Sequence, residues 1–483
     1  METVPNPKTG SFIVLLLLCS TQFIVVLDTT VVNIALPAIQ QALDFTPQNL
    51  QWVANAYQLM FAGLLLLGGR IADIFGRRKL FILGLILFSL ASLAAGFGLS
   101  EWELIAARVV QGIAAAIISP AALSILTVTF PQGRERDRAL GVFGAMAGIG
   151  AVAGLFLGGI LTQFLGWQWV FLINFPVGVV IALLSLVYLE KQPGLGIEKG
   201  FDLPGALTVT TGLVLLVYTL VQTGERGWSS LWTLGSFGVA LLLFILFVVI
   251  ELKSPAPMVD FAIFRYRRLT GANLIAILAA GCIGGTLFLL TLYLQQALGY
   301  SALETGLALL PFEFATVFAA TFSARAVTRY GVRVVLPISL TVYAAGLFLL
   351  SRVETDSSYL LILLPGTLLF GLGLTGSGIP LTIAAVSGVP HSQAGLASGL
   401  ISTTQQIGIS IGLAVISTIA ASVTANFTGI VPAKEAAVQG YQAGFLTAAG
   451  FAAVGVVLAL VLLREKKVPT EPVIAEQLEE ISR

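Results

Sequence analysis

Four ionisable residues stand where charge is expensive. Asp28, Arg108 and Glu313 each lie inside a long apolar run, and Asp73 lies at the end of one. A charge at the middle of a membrane helix costs at least about 2.5–3.5 kcal/mol, so such residues face a cavity or a partner and mark ion or proton paths. Counted at about 1.5 Å per residue from one side, Asp28 lies roughly 12 Å deep, Arg108 roughly 9 Å and Glu313 roughly 12 Å. An acid and a base at one depth can pair. Pairing favours a carboxylate's charged form and desolvation its neutral form. A carboxylate alternating between the two takes up and releases a proton; the plainer alternative is a static pair that orients two helices. Gln111, three residues after Arg108, shares its helix face and can bridge the pair. Glu313 has no cation at its depth in its own half of the chain. It is a second proton site, a counter-charge for a cationic substrate, or a cavity-lining acid. Phe312, Phe314 and Phe318 flank it, either as packing or as part of an aromatic wall.

The elements that position these residues follow from composition. Of 483 residues, 57% are hydrophobic and 10% charged, and the mean hydropathy is +0.96. Soluble domains carry about 25% charge. The chain reads as an all-α polytopic membrane protein. A bilayer-crossing helix needs roughly 20 mainly apolar residues. Fourteen runs qualify, from 12–36 and 48–68 to 395–423 and 440–463. Of the 25 Lys and Arg, Arg226, Arg352 and Lys434 fall on one side of this reading and Arg108 inside a span. All the others fall on the opposite side, which places both termini in the cytoplasm of a multi-pass cell-membrane protein. The net charge of +1 gives no sign of a nucleic-acid partner. Cys19 and Cys282 lie in apolar runs and read as core residues, not a disulfide. The first run lacks a signal-peptidase site and reads as an uncleaved span.

A basic Gly turn occurs twice. GRIADIFGRRK (Gly69 to Lys79) follows the second run, and ARAVTRYGVR (Ala324 to Arg333) echoes it after the tenth. If these correspond, each repeat has six spans and the seventh and eighth are an inserted pair. The expected partition is a cytoplasmic N-terminus (1–11), a six-helix bundle (12–190), an inserted pair (191–253), a cytoplasmic linker (254–269), a second bundle (270–463) and a tail (464–483).

GRIADIFGRRK resembles the cytoplasmic signature of the major facilitator superfamily, in which Gly69, Asp73, Gly76, Arg77 and Arg78 serve conformational gating. The second copy has Thr328 where the first has Asp73. LIAARVVQGIAAA (Leu104 to Ala116) resembles the fourth-helix signature. GIGAVAGLFLGG (Gly148 to Gly159) resembles the fifth-helix signature of its antiporters, with Gly150, Gly154 and Gly158 as a smooth face for close helix approach. The antiporter form has Pro after the second of these glycines; here Leu155 stands. LDTTVVNIALP (Leu27 to Pro37) resembles the first-helix signature of the fourteen-helix drug:proton antiporter branch. QWVANAYQL, WQWVFLINFPVG, PMVDFAIFRYRRLTGAN and GLASGLISTTQQIG extend the likeness over nearly the whole chain.

The resemblance implies two rocking six-helix bundles and proton-coupled export of lipophilic or cationic drugs. Asp28, Arg108 and Glu313 would couple protons. Asp28, Asn33, Gln111, Glu313 and Phe312 would line the substrate cavity. No cofactor or metal is expected, the partners are a small molecule, protons and the bilayer, and the family implies a monomer. Within transport, the alternative is export of an endogenous lipid, siderophore or metabolite. A membrane enzyme or a non-transporting binding protein is the reading from another class. No catalytic constellation supports it: GLGLTG (Gly371 to Gly376) lies within an apolar run, GISIG (Gly408 to Gly412) has only the distant His391, and no GxxxxGK occurs.

Overall fold

The computed structural model describes residues 7–130, 134–190, 202–255, 257, 259–387, 389 and 394–463. Sixteen α-helices occur among them. The first half contains α1 (Pro7–Ala42), α2 (Pro47–Leu50), α3 (Trp52–Phe75), α4 (Arg77–Phe97), α5 (Glu101–Thr129), α6 (Arg134–Phe164), α7 (Trp169–Leu172) and α8 (Asn174–Tyr188). Then come α9 (Leu203–Arg226) and α10 (Leu231–Lys253). The second half contains α11 (Arg267–Leu292), α12 (Ala302–Tyr330), α13 (Val332–Leu350), α14 (Leu364–Ser387), α15 (Ala394–Phe427) and α16 (Ala433–Leu462). Thirteen spans are long and apolar enough to cross a membrane, α7 and α8 forming one of them. The 24-residue α3 makes the fourteenth long helix.

Helices outrun the apolar stretches that signal them. α1 extends beyond 12–36 at both ends, and α16 begins at Ala433 where hydropathy starts only near 440. The polar end turns make the same backbone hydrogen bonds as the apolar middle but carry no hydropathy signal. Conversely, the sixth span is divided at Ile173. Pro176 has no N–H to give the carbonyl of Leu172, which ends the first segment there.

The two halves are assembled alike. In the first, α6 packs on α1, α5 on α3 and α4, and α8 on α4. In the second, α15 packs on α11, α14 on α12 and α13, and α16 on α13. Helix α12 thus takes the place of α3, as the repeated basic turn implies. Gly76 (φ 99°) joins α3 to α4 and Gly331 (φ 78°) joins α12 to α13. Each gives its N–H to the carbonyl four residues back, Ala72 and Val327 respectively. A positive φ at both turns explains why glycine stands in both copies.

Two seams join the halves: α3 against α15, and α6 against α12. Helix α9 packs on both α3 and α15, and α10 packs on α9. The Thr210 hydroxyl donates to the carbonyl of Gly63, and that of Thr418 to the carbonyl of Leu220. The inserted pair therefore braces one seam, while α6 and α12 meet through glycine. A Cβ on Gly306 would stand 2.4 Å from the Leu155 carbonyl oxygen, and one on Gly159 2.7 Å from Leu303 Cα.

Candidate functional site

Asp28 and Arg108 form a salt bridge with Arg108 Nη1 2.6 Å from Asp28 Oδ2. Both side chains are almost completely shielded, at 0% and 1% exposure. The pair survives burial because further hydrogen bonds and an aromatic ring surround it. Asn174 Nδ2 donates to Asp28 Oδ1 at 2.7 Å, and Gln111 Nε2 to the same oxygen at 3.2 Å. Arg108 Nε donates to the Val53 carbonyl at 2.8 Å, and its Nη1 also to Gln111 Oε1 at 2.9 Å. Gln111 Nε2 reaches Ser92 Oγ at 2.7 Å. The guanidinium lies over the Tyr57 ring, 4.4 Å from its centroid, with Phe171 at 5.9 Å. A cation over an aromatic face gains electrostatic stabilisation, more when desolvated. Helices α1, α3, α4, α5, α7 and α8 all contribute, so the network is the polar centre of the first half.

A cavity of about 1020 Å³ lies between the halves. Arg108 and Tyr57 form part of its wall, opposite Phe312, Glu313 and Thr316 of α12. It extends to Arg70, Asp202, Pro257 and Ser398, near the helix ends that carry the basic turns. At the other end the halves are tied together. Gln295 Nε2 donates to the Ile34 carbonyl at 2.9 Å, Gln296 Nε2 to Gln40 Oε1 at 2.8 Å, and Leu303 N to Gln163 Oε1 at 3.2 Å. Gln295 and Gln296 stand in a π-helical turn, Tyr293–Ala297, that ends α11. Among the described residues, the cavity therefore reaches the basic side and is tied shut on the other.

The residues expected from sequence fall in three places. Asn33, Phe312 and Glu313 line the cavity. Asp28 and Gln111, expected there too, are not among its lining residues; they stand behind the wall that Arg108 and Tyr57 make. The reason is depth of packing: Asp28 is held inward by three donors from α5 and α8. Phe312 is buried and rests on Phe370, whereas Phe314 and Phe318 are exposed on the outer surface of α12. Glu313 is 7% exposed and accepts a long hydrogen bond of 3.4 Å from Thr316.

The glycines expected to act in gating make close helix contacts. A Cβ on Gly150 would come 2.8 Å from the Phe23 carbonyl oxygen, on Gly154 2.7 Å from Thr30 Cβ, and on Gly158 3.1 Å from the Val31 carbonyl oxygen. This stripe presses α6 against the turn of α1 that carries Asp28. Gly69 faces Pro120 of α5. Arg77 is half-buried, and Arg78 donates to the Leu186 carbonyl, fastening α4 to α8. The side chain of Asp73 and the whole of His391 lie outside the described residues.

Sequence reasoning missed Asn174, Ser92, Tyr57 and the amide pair between Gln58 of α3 and Gln406 of α15. Their signal was present: each is a polar or amphipathic residue inside an apolar run. Without a charge, none stood out from ordinary packing.

The chain matches the sequence profile of the Major Facilitator Superfamily over residues 18–413 and again over 272–481. The chain belongs to the major facilitator superfamily. Among relatives within it, the puromycin resistance protein pur8 of Streptomyces alboniger is 37% identical over 467 residues, covering 95% of this chain and 92% of that protein. The cephamycin export protein CmcT of Amycolatopsis lactamdurans is 39% identical over 417 residues, covering 85% of each. A solved structure of a bacterial homologue of the human lysosomal transporter Spinster superimposes with a TM-score of 0.68 at 15% identity, over 93% of this chain and 96% of that one. The fold is that of a major facilitator transporter, and the chain is a multi-pass membrane protein.

Proposed function

We propose that the protein exports lipophilic drugs, neutral or cationic, in exchange for protons. The observation that carries this reading is the position of Arg108, which holds the buried Asp28 carboxylate and forms part of the cavity wall. Any movement that draws Arg108 toward the cavity uncovers Asp28, which then takes a proton; return of Arg108 expels it. Substrate in the cavity and proton on Asp28 thereby compete through one guanidinium. Glu313 gives the opposite wall a second carboxylate, available to a proton or to a cation. A cavity of this volume suits a drug-sized molecule. The names of pur8 and CmcT speak of resistance and export.

In this reading the bundle 12–190 rocks against the bundle 270–463, with residues 191–253 as a brace and the basic turns around Gly69, Gly76, Arg77 and Arg78 as cytoplasmic latches. Both termini are cytoplasmic, the protein works as a monomer without a cofactor, and it catalyses no covalent step. The cavity then faces the cytoplasm, ready to load. A second reading is export of an endogenous lipid, siderophore or metabolite; the name of CmcT speaks of exporting cephamycin. The test is reconstitution into liposomes with an imposed pH gradient. Gradient-driven uptake of drugs such as puromycin is expected, with matching proton flux. Folded protein that moves no proton with any compound sinks the antiporter reading.

A further inference from the structure

Gln58 of α3 and Gln406 of α15 meet across the braced seam. One hydrogen bond joins their side-chain amides, Gln58 Nε2 donating to Gln406 Oε1. Both residues are half-buried, and both line the central cavity. Among the described residues, this is the one hydrogen bond that joins two lining side chains from opposite halves. The ties from Gln295 to Ile34 and from Gln296 to Gln40 lie outside the cavity lining. A primary amide has two N–H donors and an oxygen with two lone pairs. Each glutamine therefore keeps unused capacity, and neither amide makes a second hydrogen bond among the described residues. Neither is sealed from the cavity, unlike the amide of Asn55 on the same helix, whose two polar atoms are both buried. Gln51 and Ser417, both buried, form a second rung that closes the seam behind them. The Gln58–Gln406 bond runs between two flexible side chains, so it opens by side-chain rotation, while α9 packs on both α3 and α15.

We infer that the Gln58–Gln406 pair is a specificity station for a secondary carboxamide on an apolar substrate. The inference rests on reading the cavity as the substrate path. A secondary amide carries its acceptor and its donor on opposite edges. Inserted between the glutamines, it accepts from the Gln58 N–H and donates to Gln406 Oε1. One hydrogen bond breaks and two form, in the same donor-to-acceptor direction. An ester has the carbonyl and lacks the N–H. It makes one bond for the one it breaks and leaves one glutamine without a partner. A site that hydrogen-bonds an N–H discriminates against the analogue lacking it. The pair therefore selects by functional group, whatever the charge on the rest of the molecule.

Procainamide and procaine make the test, because they differ only in an amide against an ester and carry the same tertiary amine. The full-length protein in lipid nanodiscs is titrated with each. Wild-type protein is expected to bind procainamide about fivefold more tightly, as for one further hydrogen bond. Gln58→Met and Gln406→Met, both close in shape to glutamine, should each bring the two affinities together, because bridging needs both amides. A change in the seam or in stability acts on both ligands alike and leaves their ratio untouched. Either variant serves if the other misfolds. Equal affinities in the wild type, or a preference that survives in the variants, overturns the inference. So does wild-type protein that binds neither compound. If liposomes transport both compounds with equal affinity, drug export stands and the amide station fails. If the preference vanishes in the variants but nothing is transported, the export reading fails and the station stands.

Discussion

The two halves share one helix arrangement and fill it with opposite chemistry. At the centre of the first, α1, α4, α5 and α8 supply Asp28, Ser92, Arg108 with Gln111, and Asn174, all joined by hydrogen bonds. At the centre of the second, the corresponding helices supply Cys282, Tyr343, Phe370 and Phe445, all buried. The Phe370 ring lies 4.6 Å from that of Phe312 and 5.5 Å from that of Tyr343. The Tyr343 hydroxyl and the Cys282 thiol turn to backbone carbonyls, Ala279 and Ala448. A polar network has alternative partners and proton states; a stack of rings has one good packing. Under the proposed mechanism, this difference puts the switch in the first half and the rigid counterpart in the second. Glu313, on the cavity face of α12, brings charge to the second half without entering its core.

Removing one member of the ion pair should have the largest effect. Arg108→Ala leaves Asp28 buried without its cation and is expected to lose transport and roughly 3–5 kcal/mol of stability. Thermal unfolding in detergent, beside liposome transport, measures both. The pair Asp28→Asn with Arg108→Leu should regain most of the stability and none of the transport. Recovery of transport would make the ion pair a mere helix clamp.

The aromatic centre should fail differently. Phe370→Ala opens a cavity between Phe312 and Tyr343 and should cost about 3 kcal/mol. The pH dependence of the remaining transport is expected to be that of the wild type. A shifted pH profile would show that the second core takes part in coupling and would blur the contrast.

Smaller effects separate the seams. Gly306→Val drives a side chain into the Leu155 carbonyl and should cost about 2 kcal/mol of the sealed form. Cysteine labelling from the side opposite the basic turns would then rise. Gln296→Ala removes a hydrogen bond to Gln40 and one from Tyr441, for a change of about 1 kcal/mol in the same assay. Equal labelling in all variants would show that these contacts do not hold the seal.

Much of this is legible in the sequence. Hydropathy located fourteen helices, because a bilayer demands long apolar runs. The repeated basic turn matched α12 with α3, because both turns need a glycine at positive φ. Depth counting paired Asp28 with Arg108, because helical rise is nearly constant. Other features were invisible for physical reasons. Neutral amides such as Asn174 and Gln58 gain meaning only from what they face. Whether Asp28 lines the cavity or stands behind its wall depends on helix rotation, which α6 fixes through Gly150, Gly154 and Gly158.

The decisive measurement is proton release on substrate addition to purified protein in weakly buffered detergent solution. Wild-type protein should release protons when the drug binds. Asp28→Asn should bind drug with little change and release far fewer protons, whereas Glu313→Gln should weaken drug binding itself. Proton release from Asp28→Asn equal to that of the wild type, with the drug bound, would contradict the role given to the buried pair.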